Sequence, residues 1–244
     1  MTKVELIPVD GLPEVRPGDD VGKLIAERSN LQSGDIVVVA QKVVSKSEGR
    51  IVRLDDVTAG DEAIRIASRL IAKPDARMVQ VVLDESVRVL RSDRVLITET
   101  HHGYVCANAG VDHSNVGPGV LTLLPVDPDA SANRLCGHLR ELTGAEVGVI
   151  VSDTFGRPWR LGIVNVALGV AGAPALIDLR GTRDDLGEPL HATVIAVADE
   201  MAAAAGLVMR KTARTPAVVV RGLSITGAGS GHDLIRPQSE DLFR

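Results

Sequence analysis

The segment that decides the fold reads Val149-Ile150-Val151-Ser152-Asp153-Thr154-Phe155-Gly156-Arg157. Its opening run of Val and Ile, without polar alternation, is typical of a strand covered on both faces. Open sheets bind ligands at the carboxyl ends of such strands. Asp153 and Thr154 would there supply hard oxygen ligands for Mg²⁺ or Mn²⁺, and Arg157 suits phosphate oxygens. The alternative is that Asp153 caps a turn beside solvated arginines.

A second buried strand is predicted over Ile36–Ala40, and two lysines follow it at once. Lys42 and Lys46 are four residues apart, and lysines at a strand end suit phosphate recognition. Ser45 adds a hydroxyl between them. The alternative is a solvated basic loop.

A third polar segment, residues 109–117, sets Asp112, Ser114 and Asn115 between glycines. A magnesium site usually has one or two carboxylates and is completed by substrate phosphates, so Asp112 with Asp153 would suffice. The alternative is an ordinary loop of Asx-turns, in which His113 is a surface residue.

The rest of the chain interleaves strands and helices without the regular rhythm of a doubly wound fold. Helices are expected at about 21–30, within 54–71, and at 75–90, 129–143 and 199–209. The glycine-rich stretch 227–231 is expected to be a mobile loop. Walker A, GxGxxG, GxSxG and HExxH motifs are missing from the sequence. These patterns predict an α+β fold, with mixed sheets and flanking helices, that is not a P-loop fold.

Composition limits the possible functions of the 244 residues. Aromatic residues make up 2%, so the core must be aliphatic, and the stacking surface of a single-strand nucleic-acid binder is excluded. A net charge of −5 also argues against nucleic acid. Cys106 and Cys136 lack metal-type spacing, which favours reduced thiols in a cytoplasmic protein. The sequence has no signal peptide and no apolar run long enough to span a membrane.

Taken together, the segments resemble the coenzyme F-420:L-glutamate ligase family. The resemblance follows nearly the whole chain in order. Its matching pieces are Gly11-Leu12-Pro13, Val43-Val44-Ser45-Lys46, Ala109-Gly110-Val111-Asp112, Leu124-Pro125, Ser152-Asp153-Thr154, Gly181 with Arg183 and Asp184, Ala198-Asp199-Glu200, and Val220-Arg221-Gly222. The tail Leu234-Ile235-Arg236-Pro237 resembles the actinobacterial branch, in which a flavin-binding nitroreductase-like domain follows; no such domain is expected in residues 1–244.

The resemblance implies a reaction and a set of sites. The family adds L-glutamate, and then γ-linked glutamates, to the coenzyme F-420 precursor through an acyl phosphate. It consumes GTP with Mg²⁺ or Mn²⁺, and K⁺ is a further candidate ion. The implied protein is a cytoplasmic, intertwined homodimer with two subdomains of unknown boundaries and no nucleic-acid or membrane partner.

Family positions carry over residue by residue. Asp112, Asp153 and Thr154 match the metal ligands, and Asp112, Asp153 and Arg157 are the predicted catalytic residues. The positions predicted to bind GTP are Leu12, Pro13, Glu14, Val15, Gln41, Lys46 and Asn115. The family's Met-Gly-Gln/Glu-like stretch is replaced by Met209-Arg210-Lys211, which puts a second metal in doubt and makes Lys211 a candidate phosphate contact.

Three further interpretations stay open from sequence. One is an ATP-dependent carboxylate–amine ligase with another acceptor, and another is a non-catalytic nucleotide- or deazaflavin-binding module. The third concerns the rings: Tyr104, Phe155 and Trp159 flank the two carboxylates. Tyr104 or Trp159 would line the pocket for a flat ligand, or else these rings pack locally.

Overall fold

A computed structural model describes residues 3–210, 214–223, 225 and 227–241. Within these ranges the helices are α1 (Val21–Ala26), α2 (Gln41–Ser47), α3 (Asp61–Arg69), α4 (Ala76–Asp84), α5 (Pro128–Thr143) and α6 (Val197–Met209). The strands are β1 (Glu5–Pro8), β2 (Ile36–Ala40), β3 (Ile51–Arg53), β4 (Ser86–Ser92), β5 (Leu96–Thr100), β6 (Val105–Ala107), β7 (Val120–Thr122), β8 (Gly148–Arg157), β9 (Arg160–Ala171), β10 (Ile177–Asp178), β11 (Val194–Ile195) and β12 (Ala217–Arg221). The mixture confirms the α+β class; Lys211 and Phe243 lie outside the described residues.

A five-stranded sheet forms the centre of the fold, in the order β1-β12-β2-β8-β9. Only β2 and β8 run parallel among its neighbouring pairs, with Val38 opposite Ile150. The carboxyl end of β2 therefore lies beside Ser152, and β8 continues beyond it to Arg157. Both faces are covered, which explains why these two strands read as unbroken apolar runs.

The core is aliphatic, as composition predicts. On one face of the sheet Val37 and Val149 pack with residues of α1, α2 and α5. On the other face Val38 and Ile150 pack with the small side chains of α6. The described aromatic rings belong to neither cluster.

The segment from β3 to β7 has a hydrophobic centre of its own. There β4, β5 and β6 form a separate sheet, β3 pairs with β7, and α3 and α4 pack against them around Ile66, Val82 and Leu121. The division of the chain into two subdomains nevertheless stays a prediction. No helix among the described residues is long and apolar enough to cross a bilayer.

Three sequence predictions about elements are wrong. The helix expected at 75–90 ends at Asp84, because the Val-rich residues after it pair with β5 as strand β4. The strand expected to stop before Asp153 continues to Arg157, because β9 pairs with it along that length. The glycine-rich stretch is packed rather than loose: a methyl group added at Gly231 would lie 1.8 Å from the Leu168 carbonyl oxygen.

Candidate functional site

A cavity of about 890 Å³ lies at the carboxyl end of β2, beside Ser152–Thr154 in the middle of β8. Every residue predicted from sequence to bind GTP or metal lines it. These residues are Leu12, Pro13, Glu14, Val15, Gln41, Lys46, Asp112, Asn115, Asp153 and Thr154. The fold thus gathers four separate segments at one place, although the individual roles of the residues stay predictions.

Helix α2 brings both lysines into the cavity. It begins directly after β2, with Val43 and Val44 in the core and the Gln41 amide oxygen accepting from the Ser45 hydroxyl at 2.8 Å. Residues four apart share a helix face, so Lys42 and Lys46 point the same way. Their side chains are only 17% and 9% exposed. The alternative of a solvated basic loop is therefore wrong.

Lys42 is bound to the loop that carries Asp112. Its Nζ lies 2.7 Å from Asp112 Oδ2, 2.7 Å from the Ser114 carbonyl oxygen and 2.6 Å from Ser114 Oγ. The Asp112 backbone is held in turn by paired hydrogen bonds with Thr122. Burial acts to raise the pKa of Asp112, but the hydrogen bonds from Lys42 and Ser114 outweigh it and hold the pKa below its ordinary value. Asp112 is thus an anion paired with a lysine.

Lys46 makes the matching contacts one helical turn later. Its Nζ donates to the Glu14 carboxylate, and to the Asn115 carbonyl oxygen at 2.7 Å. The loop bends to present that carbonyl, with Asn115 at φ 57°. Gly110, at φ 72°, has Leu124 2.7 Å from where a Cβ would stand, so only glycine fits there. His113 is exposed, which confirms its expected surface position.

The third part of the cavity comes from the β8–β9 hairpin. Thr154 lies opposite Asn165, and both side chains line the cavity. Ser152 Oγ is buried without a hydrogen-bond partner in the described part of the chain. The pKa of Cys106 is raised to about 12, mainly by burial and to a smaller extent by the charge of Asp153. Cys106 is buried and stays a protonated thiol, in agreement with the reduced thiol expected from sequence.

Arg157 and two of the aromatic rings lie outside the cavity, and the catalytic role of Arg157 stays a prediction. Arg157 lies on the exposed end of β8, where its Nη2 donates to the Leu161 carbonyl oxygen at 3.0 Å, and it does not line the cavity. The rings of Tyr104 and Trp159 do not line the cavity either. Trp159 is 83% exposed at the hairpin tip, and the Tyr104 hydroxyl donates to the Leu168 carbonyl oxygen at 2.5 Å. Since that ring also packs at 6.4 Å from Phe155, local packing describes Tyr104.

Other lining residues were not predicted from sequence. They include Asn165 on β9, Gly206 on α6 and Arg214. Asn165 has a local signal, since it interrupts an apolar run. Met209 and Arg210, which belong to the stretch that the resemblance compares with a family site, also line the cavity.

The donor set fits a divalent cation that is shared with a substrate. In the described ranges, no three His, Cys, Asp or Glu side chains come together as a metal cage. Asp112, Asp153 and Thr154 offer two carboxylates and a hydroxyl on one cavity. Such hard oxygen donors suit Mg²⁺ or Mn²⁺ whose remaining ligands are water and phosphate oxygens.

Known proteins resemble the chain over its whole length. Residues 11–222 match the family model for F420-0:gamma-glutamyl ligase. A coenzyme F420:L-glutamate ligase of Archaeoglobus fulgidus is 46% identical, over 99% of this chain and 97% of its own. Proteins of the same name from Methanopyrus kandleri and Methanothermobacter thermautotrophicus are each 45% identical, over 99% of this chain and 97% and 99% of their own lengths. The chain therefore belongs to the F420-0:gamma-glutamyl ligase family.

Proposed function

We propose that the protein is a GTP- and divalent-metal-dependent ligase that adds L-glutamate, and then γ-linked glutamates, to the coenzyme F-420 precursor. The observation that carries the proposal is the cavity itself. It brings two lysines, two aspartates and the predicted nucleotide residues together where β2 ends beside the parallel strand β8. The names of the relatives support the choice of acceptor and amino acid.

The proposed reaction has two steps. A carboxylate oxygen of the precursor attacks the γ-phosphorus of GTP, and GDP leaves, which gives an acyl phosphate. The glutamate amine then attacks the acyl carbon, phosphate leaves, and the nitrogen loses a proton to give the amide. The first step develops negative charge on the phosphate oxygens, so fixed cations accelerate it.

The cavity residues divide this work by their positions. Lys46 and the loop that carries Asn115 lie on the side of the cavity that is lined by Leu12–Val15. We assign this side of the cavity to the nucleotide. Lys42 stands beside Asp112, where it would neutralise a transferring phosphate. Mg²⁺ or Mn²⁺ held by Asp112, Asp153 and Thr154 would supply Lewis-acid charge stabilisation, and K⁺ is a further candidate ion. We assign no step to Arg157, because it lies outside the cavity.

We also propose a cytoplasmic homodimer with intertwined subunits. The β8–β9 hairpin supports this arrangement, because its outer part exposes Trp159 at 83% and Leu161 at 99%. Apolar side chains grouped on a projecting arm are typical of a protein interface. Sedimentation analysis of wild type and of Leu161→Asp checks the dimer, which the charged variant should weaken.

One assay tests the function against its rivals. The protein is incubated with the precursor, L-glutamate, Mn²⁺ and either GTP or ATP, and the products are weighed by mass spectrometry. A gain of one glutamate with GTP alone supports the proposal. A gain with ATP, or only with another acceptor, supports the ATP-dependent ligase, and ligand binding without turnover supports the non-catalytic module. Asp56→Asn, at an exposed site outside the cavity, is the control for any aspartate variant.

A further inference from the structure

The β8–β9 hairpin contains an irregularity directly beside the proposed metal ligands. Val151 lies opposite Gly169, but the next residue, Ser152, lies opposite Ala167. Leu168 is therefore an extra residue in β9, which makes a β-bulge. A bulge leaves backbone groups outside the ladder and redirects the strand, and bulges occur often next to active sites. This one immediately precedes Asp153.

Two side chains meet the backbone groups at the bulge. The Ala167 N–H donates to Asp199 Oδ1 at 2.8 Å, and the Leu168 carbonyl oxygen accepts from the Tyr104 hydroxyl at 2.5 Å. Asp199 and Tyr104 are both largely buried. Burial raises the pKa of Tyr104, so its hydroxyl stays a donor.

The two side chains belong to different parts of the fold. Asp199 stands in the first turn of α6, the helix whose other end lines the cavity with Gly206. Tyr104 lies just before β6, stacked on His102 with ring centroids 5.5 Å apart. The two hydrogen bonds therefore connect the bulge to α6 and to the segment from β3 to β7.

We propose that Tyr104 and Asp199 are positioning residues, which fix the bulge at Leu168 and thereby the direction of the Asp153 carboxylate. The proposal rests on the metal role that the proposed function gives to Asp153. Neither side chain lines the cavity. They act only through the backbone of β9 and its pairing with β8.

The test measures Mn²⁺ binding to the intact protein. Electron paramagnetic resonance quantifies the ion that remains free. Tyr104→Phe removes one hydroxyl and keeps the ring, and Asp199→Ala removes the acceptor. Each should raise the Kd for Mn²⁺ about tenfold, which corresponds to the loss of about one hydrogen bond to a fixed group. Asp199→Asn keeps an acceptor oxygen and should bind Mn²⁺ as wild type does.

Asp129, in the first turn of α5, provides the control, because its carboxylate also binds the backbone of β9. Asp129 Oδ1 accepts from the Val170 N–H at 2.8 Å, beyond the bulge. Asp129→Ala should lower the melting temperature without changing the Kd for Mn²⁺. The proposal is overturned if Tyr104→Phe and Asp199→Ala bind Mn²⁺ normally, or if Asp129→Ala weakens binding as much as they do.

Asp153→Asn separates this inference from the proposed function. If Asp153→Asn binds Mn²⁺ as tightly as wild type, the metal role of Asp153 fails and the inference fails with it. If Asp153→Asn loses the ion while Tyr104→Phe keeps it, only the positioning role is wrong.

Discussion

Lys42→Met should strengthen, rather than weaken, the binding of Mn²⁺ in the absence of nucleotide. Lys42 Nζ occupies one oxygen of a proposed metal ligand, at 2.7 Å from Asp112 Oδ2. An incoming cation must displace this ammonium group or share the carboxylate with it. The free energy of the Lys42–Asp112 pair therefore counts against metal binding.

The solvent exposure of the Lys42–Asp112 pair determines how far its loss should lower the Kd for Mn²⁺. A hydrogen bond to a charged group contributes about 1.5–3 kcal/mol when buried, whereas exposed ion pairs contribute about 0.2–1 kcal/mol. The side chains of Lys42 and Asp112 are 17% and 34% exposed, so the pair falls between these classes. A value of about 1–2 kcal/mol corresponds to about a 5- to 30-fold tighter Kd in Lys42→Met.

Lys46→Met is the matched control, because it removes the same charge one turn further along α2. Its partner is Glu14 rather than a proposed metal ligand, so Asp112 keeps its lysine. Isothermal titration of the nucleotide-free protein with Mn²⁺ gives both Kd values. Equal changes in the Kd for Mn²⁺ in the two variants would show that the effect comes from net charge alone. Weaker Mn²⁺ binding in Lys42→Met would refute the competition between Lys42 and the ion for Asp112.

Four other predictions follow from the same contacts. Asp153→Asn should abolish GTP-dependent glutamylation with an unchanged circular dichroism spectrum, and normal turnover would remove Asp153 from the site. Arg221→Ala should lower the free energy of unfolding in urea by about 2–3 kcal/mol, because Asp35, 1% exposed, loses a two-point ion pair; a loss under about 1 kcal/mol would contradict this. Cys106, with a pKa of about 12, should not react with a thiol reagent at pH 8 until the protein is unfolded, and stoichiometric labelling of the native protein would show otherwise. Burial raises the pKa of Asp199, so its contribution to stability is present below the ordinary aspartate pKa and is lost as pH rises through the raised value. Asp199→Asn should therefore be at least as stable as wild type at neutral pH, as melting curves against pH will test.

Part of the cavity could be predicted from strong local patterns, whereas Leu12–Val15, Gln41 and Asn115 were assigned only through the family resemblance. The strand that precedes α2 is an unbroken run of Ile and Val, which identifies a buried strand and so the place where it ends. Lys42, Lys46 and Asp153 are then defined by their distance from such a strand. The α+β class follows in the same way from the irregular alternation of helix and strand patterns.

The remaining features depend on partners far away in sequence. The sequence predicts Arg157 in the site because it follows Asp153 closely. Pairing with β9 extends β8, however, and Arg157 lies at the exposed end of that strand. Sequence alone leaves open that Tyr104 contacts a ligand, but its hydroxyl donates to the carbonyl oxygen of Leu168 on β9. No local pattern contains either contact, because each arises when separate segments pack together.

The order of the central sheet has a consequence for how the chain folds during synthesis. The last described strand, β12, lies between β1 and β2 and pairs with both. The edges of β1 and β2 that face β12 therefore have no partner until Ala217–Arg221 has been synthesised. Sheets that depend on such distant pairings fold slowly, and their open edges are where nascent chains aggregate. We expect the newly made protein to depend on chaperones during this interval, and a truncation before Ala217 to remain insoluble.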